Sequence, residues 1–181
     1  MNYKNLDKRR LMFIKEEDYN FLTYNILIIL NSLRCIEKER VLKDHRKLSF
    51  LIDFVSDKRL LDILEINIHK ESKLINISDR EYLNQSYTNA IFRIKTVNQL
   101  IFTLSNEGIV FIKDNKLEKL DISLVKNGVA DDFFKSEIFN IERSNMNRLK
   151  SLIKRITIID ITTLLQQLYY NNGVLDEQII N

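Results

Sequence analysis

A chain of 181 residues that contains no proline and only three glycines carries few signals that break a helix. Proline removes a backbone donor and clashes with the preceding turn, and glycine is the usual residue at a left-handed stop. Without them, helices run until polar turns end them. The apolar spacing agrees. Tyr19, Leu22, Ile26, Ile29, Leu30 and Leu33 recur at helical intervals behind the acidic trio Glu16-Glu17-Asp18, which suits the positive end of a helix dipole. Asp44 is placed to cap a second helix holding Leu48, Leu51, Ile52 and Val55, and Ser56-Asp57 to restart a third with Leu60, Leu61, Ile63 and Leu64. Residues 65 to 77 alternate apolar and polar around Ile66-Ile68 and Leu74-Ile75-Ile77, which fits a short strand pair or an irregular loop.

Ser78-Asp79-Arg80-Glu81 has the spacing of a capping box. It predicts a long helix carrying Ile91, Ile94, Val97, Leu100, Ile101 and Leu104 inward and ending at Gly108. Beyond it, Ile109 to Ile112 and Leu117 to Ile122 read as a β-hairpin turning at Asp114-Asn115. Asp131-Asp132 reads as a helix start. Glu142 to Ile156 and a helix capped by Asp160, with Leu164, Leu165 and Leu168, make a C-terminal helical pair over about 142–172. The expected fold is mainly α: one domain over 1–181, compact and helical, with a single hairpin.

Forty-five per cent hydrophobic and twenty-nine per cent charged residues are globular values. The longest apolar run, Ile26 to Leu30, is far short of the roughly 18 residues that a membrane span needs. The start Met1-Asn2-Tyr3-Lys4 leads into no signal-peptide core, so a cytoplasmic protein is expected. The single cysteine, Cys35, has no internal partner and reads as a packed thiol.

Gly108, Gly128 and Gly173 build neither GxxxxGK[ST] nor GxGxxG, and His45 and His69 stand apart from any ligand set. No cofactor, metal or catalytic residue is therefore assigned. Asp62 followed by Glu71-Ser72-Lys73 imitates the acid and E-x-K of magnesium-dependent nucleases, but E-x-K is a chance product in a chain this rich in Glu and Lys. A net charge of +3 is modest for a nucleic-acid binder. Were the helix before Gly108 to enter a groove, Arg93 and Lys95 would meet DNA, and Lys113, Lys116 and Lys119 on the hairpin would touch phosphates. That helix is too apolar for base reading, and burial on two sides explains it better. The candidate partner interface is then Phe92 and Phe102 on that helix, with the aromatic segment Phe133, Phe134 and Phe139; the alternative places all five rings in the chain's own core.

The stretches "NFLTYNILIILNSL" (20 to 33), "DHRKLSFLIDFVSD" (44 to 57), "RIKTVNQLIFTLSNEGIVFIKDNKLEKLDIS" (93 to 123) and "FFKSEIFNIERSNMNRLKSLI" (133 to 153) together resemble, in the order of their elements, the middle component of bacterial three-component ABC systems, including Lamassu-type antiphage defence. The resemblance implies a winged-helix-like portion over about 44–123. It also implies a non-catalytic subunit that joins an SMC-like ABC ATPase to a nuclease-type effector, with possible DNA contact within the assembly and no membrane partner. The competing readings are a winged-helix DNA-binding regulator and a small magnesium-dependent nuclease.

Overall fold

The first helix, α1 (Tyr19–Ser32), is buried nearly all round, on Phe21, Leu22, Asn25 and Ile26 to Leu30. It stops at Arg34, which adopts φ 54°. There Cys35 N–H donates to Leu30 O at 2.9 Å and Arg34 N–H to Asn31 O at 2.9 Å, the bonding of a left-handed helix stop. These helices belong to a computed structural model that describes residues 19–37, 39–69, 75–116 and 119–174. The chain is mainly helical, with one two-stranded antiparallel hairpin among the described residues. None of the described helices is long and apolar enough to cross a membrane.

Residues 35 to 45 carry the chain from α1 along the hairpin. Leu42 and Ile122 exchange backbone hydrogen bonds of 2.8 and 3.0 Å, and His45 N–H donates to Leu120 O at 2.9 Å. Cys35 is fully buried, as expected, and burial pushes its thiol up to about 12. Helix α2 (Lys47–Ser56) follows, with eight of its ten residues buried. Asp44 does not cap it. Asp44 lies at φ 62°, two residues before the cap position at Arg46, and its carboxylate pairs with the Arg46 guanidinium at 2.6 Å.

Asp57 closes α2, and its carboxylate accepts from Arg59 N–H at 2.8 Å to open α3 (Lys58–His69). Residues 65 to 69 therefore continue a helix, and the strand alternative fails there: Ile66 and Ile68, which would have shared one buried face, are both exposed. The rest of that alternation, through Leu74, lies outside the described residues. Helix α4 (Ile77–Asn106) is capped by Asn76, which accepts from Asp79 N–H at 2.7 Å. Asn76 offers the acceptor two residues ahead of Ser78, so the expected capping box is displaced. Gly108 ends α4 with φ 70°, as expected, and Ile109 N–H donates to Leu104 O at 2.9 Å.

In the hairpin, β1 (Val110–Lys116) pairs with β2 (Lys119–Leu124), and Asp114 and Asn115 lie opposite Asp121 and Leu120. The reversal thus comes after Lys116 rather than at Asp114-Asn115: Val110 already pairs with Leu124 and Ile112 with Ile122, so both strands run past Asn115, and an irregularity lies between Ile112 and Asp114. Asp131 and Asp132 start the short helix α5 (Asp131–Lys135). A 3₁₀ turn, Glu137–Phe139, leads into α6 (Asn140–Leu152). That helix ends four residues earlier than the spacing suggests, since the backbone turns extended at Ile153, φ −111° and ψ 110°, and Arg155 then turns left-handed at φ 61°. Asp160 caps α7 (Ile161–Leu168) by accepting from Thr163 N–H at 2.7 Å.

The turn between α6 and α7 is held from beneath. The Nζ of the fully buried Lys47 donates to Ile156 O at 2.7 Å, Ile159 O at 3.0 Å and Thr157 O at 3.2 Å. Burial lowers the Lys47 ammonium to about 8 from an ordinary value of 10.5. Between these values the unfolded chain holds the proton and the folded chain does not, so this group's contribution to stability rises with pH from about 8 to 10.5. Lys47→Met should destabilise the chain by about 2 kcal/mol near neutrality through orphaned carbonyls. Urea unfolding of both proteins at several pH values should also show the wild type gaining on the variant across that window. Parallel pH curves would show that Lys47 does not titrate there.

Candidate functional site

The longest helix presents two unlike faces. Toward the core, α4 buries Leu83, Ser86, Ala90, Arg93, Val97, Leu100, Ile101 and Leu104. Two of these are polar, and both meet Asp53 of α2. Arg93 Nη1 lies 2.6 Å from Asp53 Oδ1, and Ser86 Oγ donates to Asp53 Oδ2 at 2.9 Å. Ser86 also lies 3.1 Å from the hydroxyl of Tyr169. The Tyr169 ring is fully buried among Phe50, Phe54 and Tyr87, and burial raises its phenol well above the ordinary range.

This network floors a cleft of about 520 Å³ between α2 and α4, bordered also by Asp57, Lys58, Tyr82 and Ile141. The Tyr82 hydroxyl donates to Asp57, which raises the phenol to about 12, and the Arg59 guanidinium stacks 4.3 Å from the Tyr82 ring centre. Within the cleft Asp53 is committed to Arg93 and Ser86, and Asp57 to Tyr82, leaving few of these atoms for a ligand. Arg93 Nε is the exception, with no hydrogen-bond partner among the described residues.

The outer face of α4 is different in kind. Phe92 is 78% exposed, Phe102 43% and Ile91 41%, so Ile91, expected on the inward stripe, lies outside it beyond the edge that Ala90 and Arg93 fill. Ile91, Lys95 and Phe102 follow helical spacing along this surface, with Phe92 and Gln99 beside them. The two rings expected at a partner interface on α4 are thus solvent-facing.

The aromatic segment behaves otherwise. Phe139 is buried, its ring 5.1 Å from Tyr24 and 4.9 Å from Phe133. Phe133 and Phe134 meet edge to face at 5.3 Å and pack partly buried against the core. Arg143 Nη1 fixes this segment by donating to Phe134 O at 2.6 Å and Ser136 O at 2.7 Å. Phe139 is thus taken into the chain's own core, whereas Phe133 and Phe134 pack on it only half-buried. The residues exposed beside them are Ile138 and Ile141, which did not stand out by spacing because the irregular 131–139 stretch has no single period.

The expected nucleic-acid contacts also divide. Arg93 is 3% exposed, and its pairing with Asp53 removes it from any groove-facing surface. Lys95, Lys113 and Lys119 are exposed, and Lys116 stands opposite Lys119 in the hairpin register. Asp62 is held by Arg148 at 2.7 Å, beside Glu65 at 2.6 Å to the same Nη2, while Glu71, Ser72 and Lys73 lie outside the described residues. His45 is buried, and its Nδ1 accepts from Leu120 N–H at 3.2 Å; burial holds the imidazole below its ordinary value. The side chain of His69 lies outside the described residues.

No family model, curated protein or solved structure matches the chain. The Asp53–Arg93 pair has a direct test. Asp53→Ala leaves a buried guanidinium without its carboxylate and should cost about 3 to 5 kcal/mol in urea unfolding. The double substitution Asp53→Leu with Arg93→Met should recover most of that loss. Additive losses would show that the two charges are not coupled.

Proposed function

We propose that this chain is a non-catalytic accessory subunit and that the outer face of α4 is where a larger protein docks. One observation carries the reading: Ile91, Phe92 and Phe102 stand exposed on a helix whose inner face is already filled by the core. Covering a phenylalanine or isoleucine side chain contributes about 1.5 to 3 kcal/mol, so a partner seated here gains from all three at once. Lys95 and Gln99 among them keep the free surface soluble.

On the resemblance in element order, the proposed partners are an SMC-like ABC ATPase and a nuclease-type effector in a cytoplasmic bacterial antiphage complex. Hydrolysis and cleavage then belong to those partners. The subunit acts as a switch element if two states of the ATPase bind the α4 face unequally, because only differential affinity shifts an equilibrium. Burial of Arg93 weighs against the DNA-reading regulator, since it removes a base-reaching cation from α4.

Capture of the full chain from its native extract at moderate salt should bring down a larger ATPase. Phe92→Asp with Phe102→Asp should change unfolding free energy by less than about 0.5 kcal/mol, as exposed positions do. The same pair should weaken capture at least tenfold, about 1.4 kcal/mol. Undiminished capture by the double variant would overturn the docking face, and a solitary chain with turnover of its own would overturn the subunit reading.

A further inference from the structure

On another part of the surface, the C-terminal end of α1 meets the turn that follows α6 in a cleft of about 380 Å³. Five cationic side chains border it, Arg34, Arg40, Lys150, Lys154 and Arg155, and no Asp or Glu does among the described residues. Two helix ends also converge here, each carrying roughly half a negative charge. They offset about one of the five cations, leaving a net of about +4. Lys150 serves one of these ends directly, its Nζ donating to Ser32 O at 3.0 Å. The other four enter no ion pair with a described residue.

The backbone points the same way. Arg34 and Arg155 both lie in the left-handed region, at φ 54° and 61°, a conformation that costs a side-chain-bearing residue about 1 kcal/mol and that glycine adopts freely. At both turns bordering the cleft the residue is arginine. Around Arg155, the N–H groups of Lys154, Arg155, Ile156 and Thr157 donate to no other backbone group among the described residues. The carbonyls of Ile156 and Thr157, by contrast, are taken by Lys47. Unneutralised cations from two left-handed turns, gathered around one cleft with no carboxylate among its described lining residues, make a site for negative charge.

We infer that this cleft binds the phosphodiester backbone of a nucleic acid. Its cations are exposed and spread around an open cleft, an arrangement that gains affinity by summing phosphate contacts and releasing counterions rather than by enclosing one small anion. The site lies apart from the α4 residues of the proposed docking face and stands or falls separately from it.

The test is fluorescence anisotropy of a labelled duplex of about 20 base pairs titrated with the full chain between about 50 and 200 mM salt. Four phosphate contacts predict a slope of log affinity against log salt of about −3.5. Arg40→Gln with Lys154→Gln should reduce the slope by about 2, whereas Lys113→Gln with Lys119→Gln on the hairpin should leave it unchanged. Should the first pair unfold the chain, Lys154→Gln alone should remove about 1. The proposal is overturned by absence of duplex binding at the lowest salt or by loss of slope in the hairpin pair instead of the cleft pair. Saturable binding of inorganic phosphate without duplex binding also overturns it, in favour of a small phosphorylated ligand.

Discussion

Helix α2 is covered on every side, and that constraint organises the molecule. It packs against α1, α3, α4, α6 and α7, so any polar group on it must find a partner inside the protein. Lys47 at its start reaches three carbonyls of the 156–159 turn, and Asp53 near its end takes Arg93 and Ser86 of α4. Both charges oppose the dipole of their own helix, with the cation at the positive end and the anion toward the negative one. Local helix energetics therefore does not explain them. Their tertiary partners do: one fastens the α6–α7 turn and the other fixes the rotation of α4 about its axis.

That rotation decides what reaches the surface. With Arg93 and Ser86 turned toward α2, the inner stripe of α4 is fixed, and Ile91, Phe92, Lys95 and Phe102 are left outside. A rotation by about 100°, one residue's step, would bring Phe92 inward in place of Arg93. The apolar outer face, and with it the docking role proposed for this chain, thus goes with the rotation that the apolar inner stripe and this ion pair at 2.6 Å set together. A pair of this kind adds little to stability relative to apolar residues of equal volume, but it penalises the wrong arrangement heavily, because an unpaired guanidinium cannot be buried.

The basic cleft has a related origin. Lys47 draws the carbonyls of the α6–α7 turn inward, and Arg155 reverses the backbone at that turn. Arg34 does the same at the end of α1. The two left-handed residues, one at the stop of α1 and one in the turn after α6, place arginines from segments more than a hundred positions apart on the rim of a single cleft. A modest net charge over the whole chain conceals this local concentration, since the carboxylates that balance it lie elsewhere.

Periodicity and terminators made much of this fold legible in one dimension. Apart from the exposed Tyr19, the inward residues on and just after α1 (Leu22, Ile26, Ile29, Leu30 and Leu33), the stop at Gly108, the hairpin, the start of α5 at Asp131 and the Asp160 cap all depend on residues within a few positions of one another, and local chemistry settles such features. The readings that failed turned on competition or on distance. Asn76 captured the cap from Ser78, and strand pairing from Val110 opposite Leu124 onward carried the reversal past Asn115. Phe92 and Phe139 look alike as letters, yet one ring is 78% exposed and the other 7%. Arg93 and Lys95 look alike as cations, yet only Arg93 finds a carboxylate, forty positions away on α2. The sequence by itself determined most of the segments that become helices, 65 to 69 excepted, because hydrogen bonding and side-chain spacing act within a turn or two. Only tertiary structure decided which face of each helix stays outside, because long-range partners set the rotation of α4 and the meeting of Arg34 with Arg155.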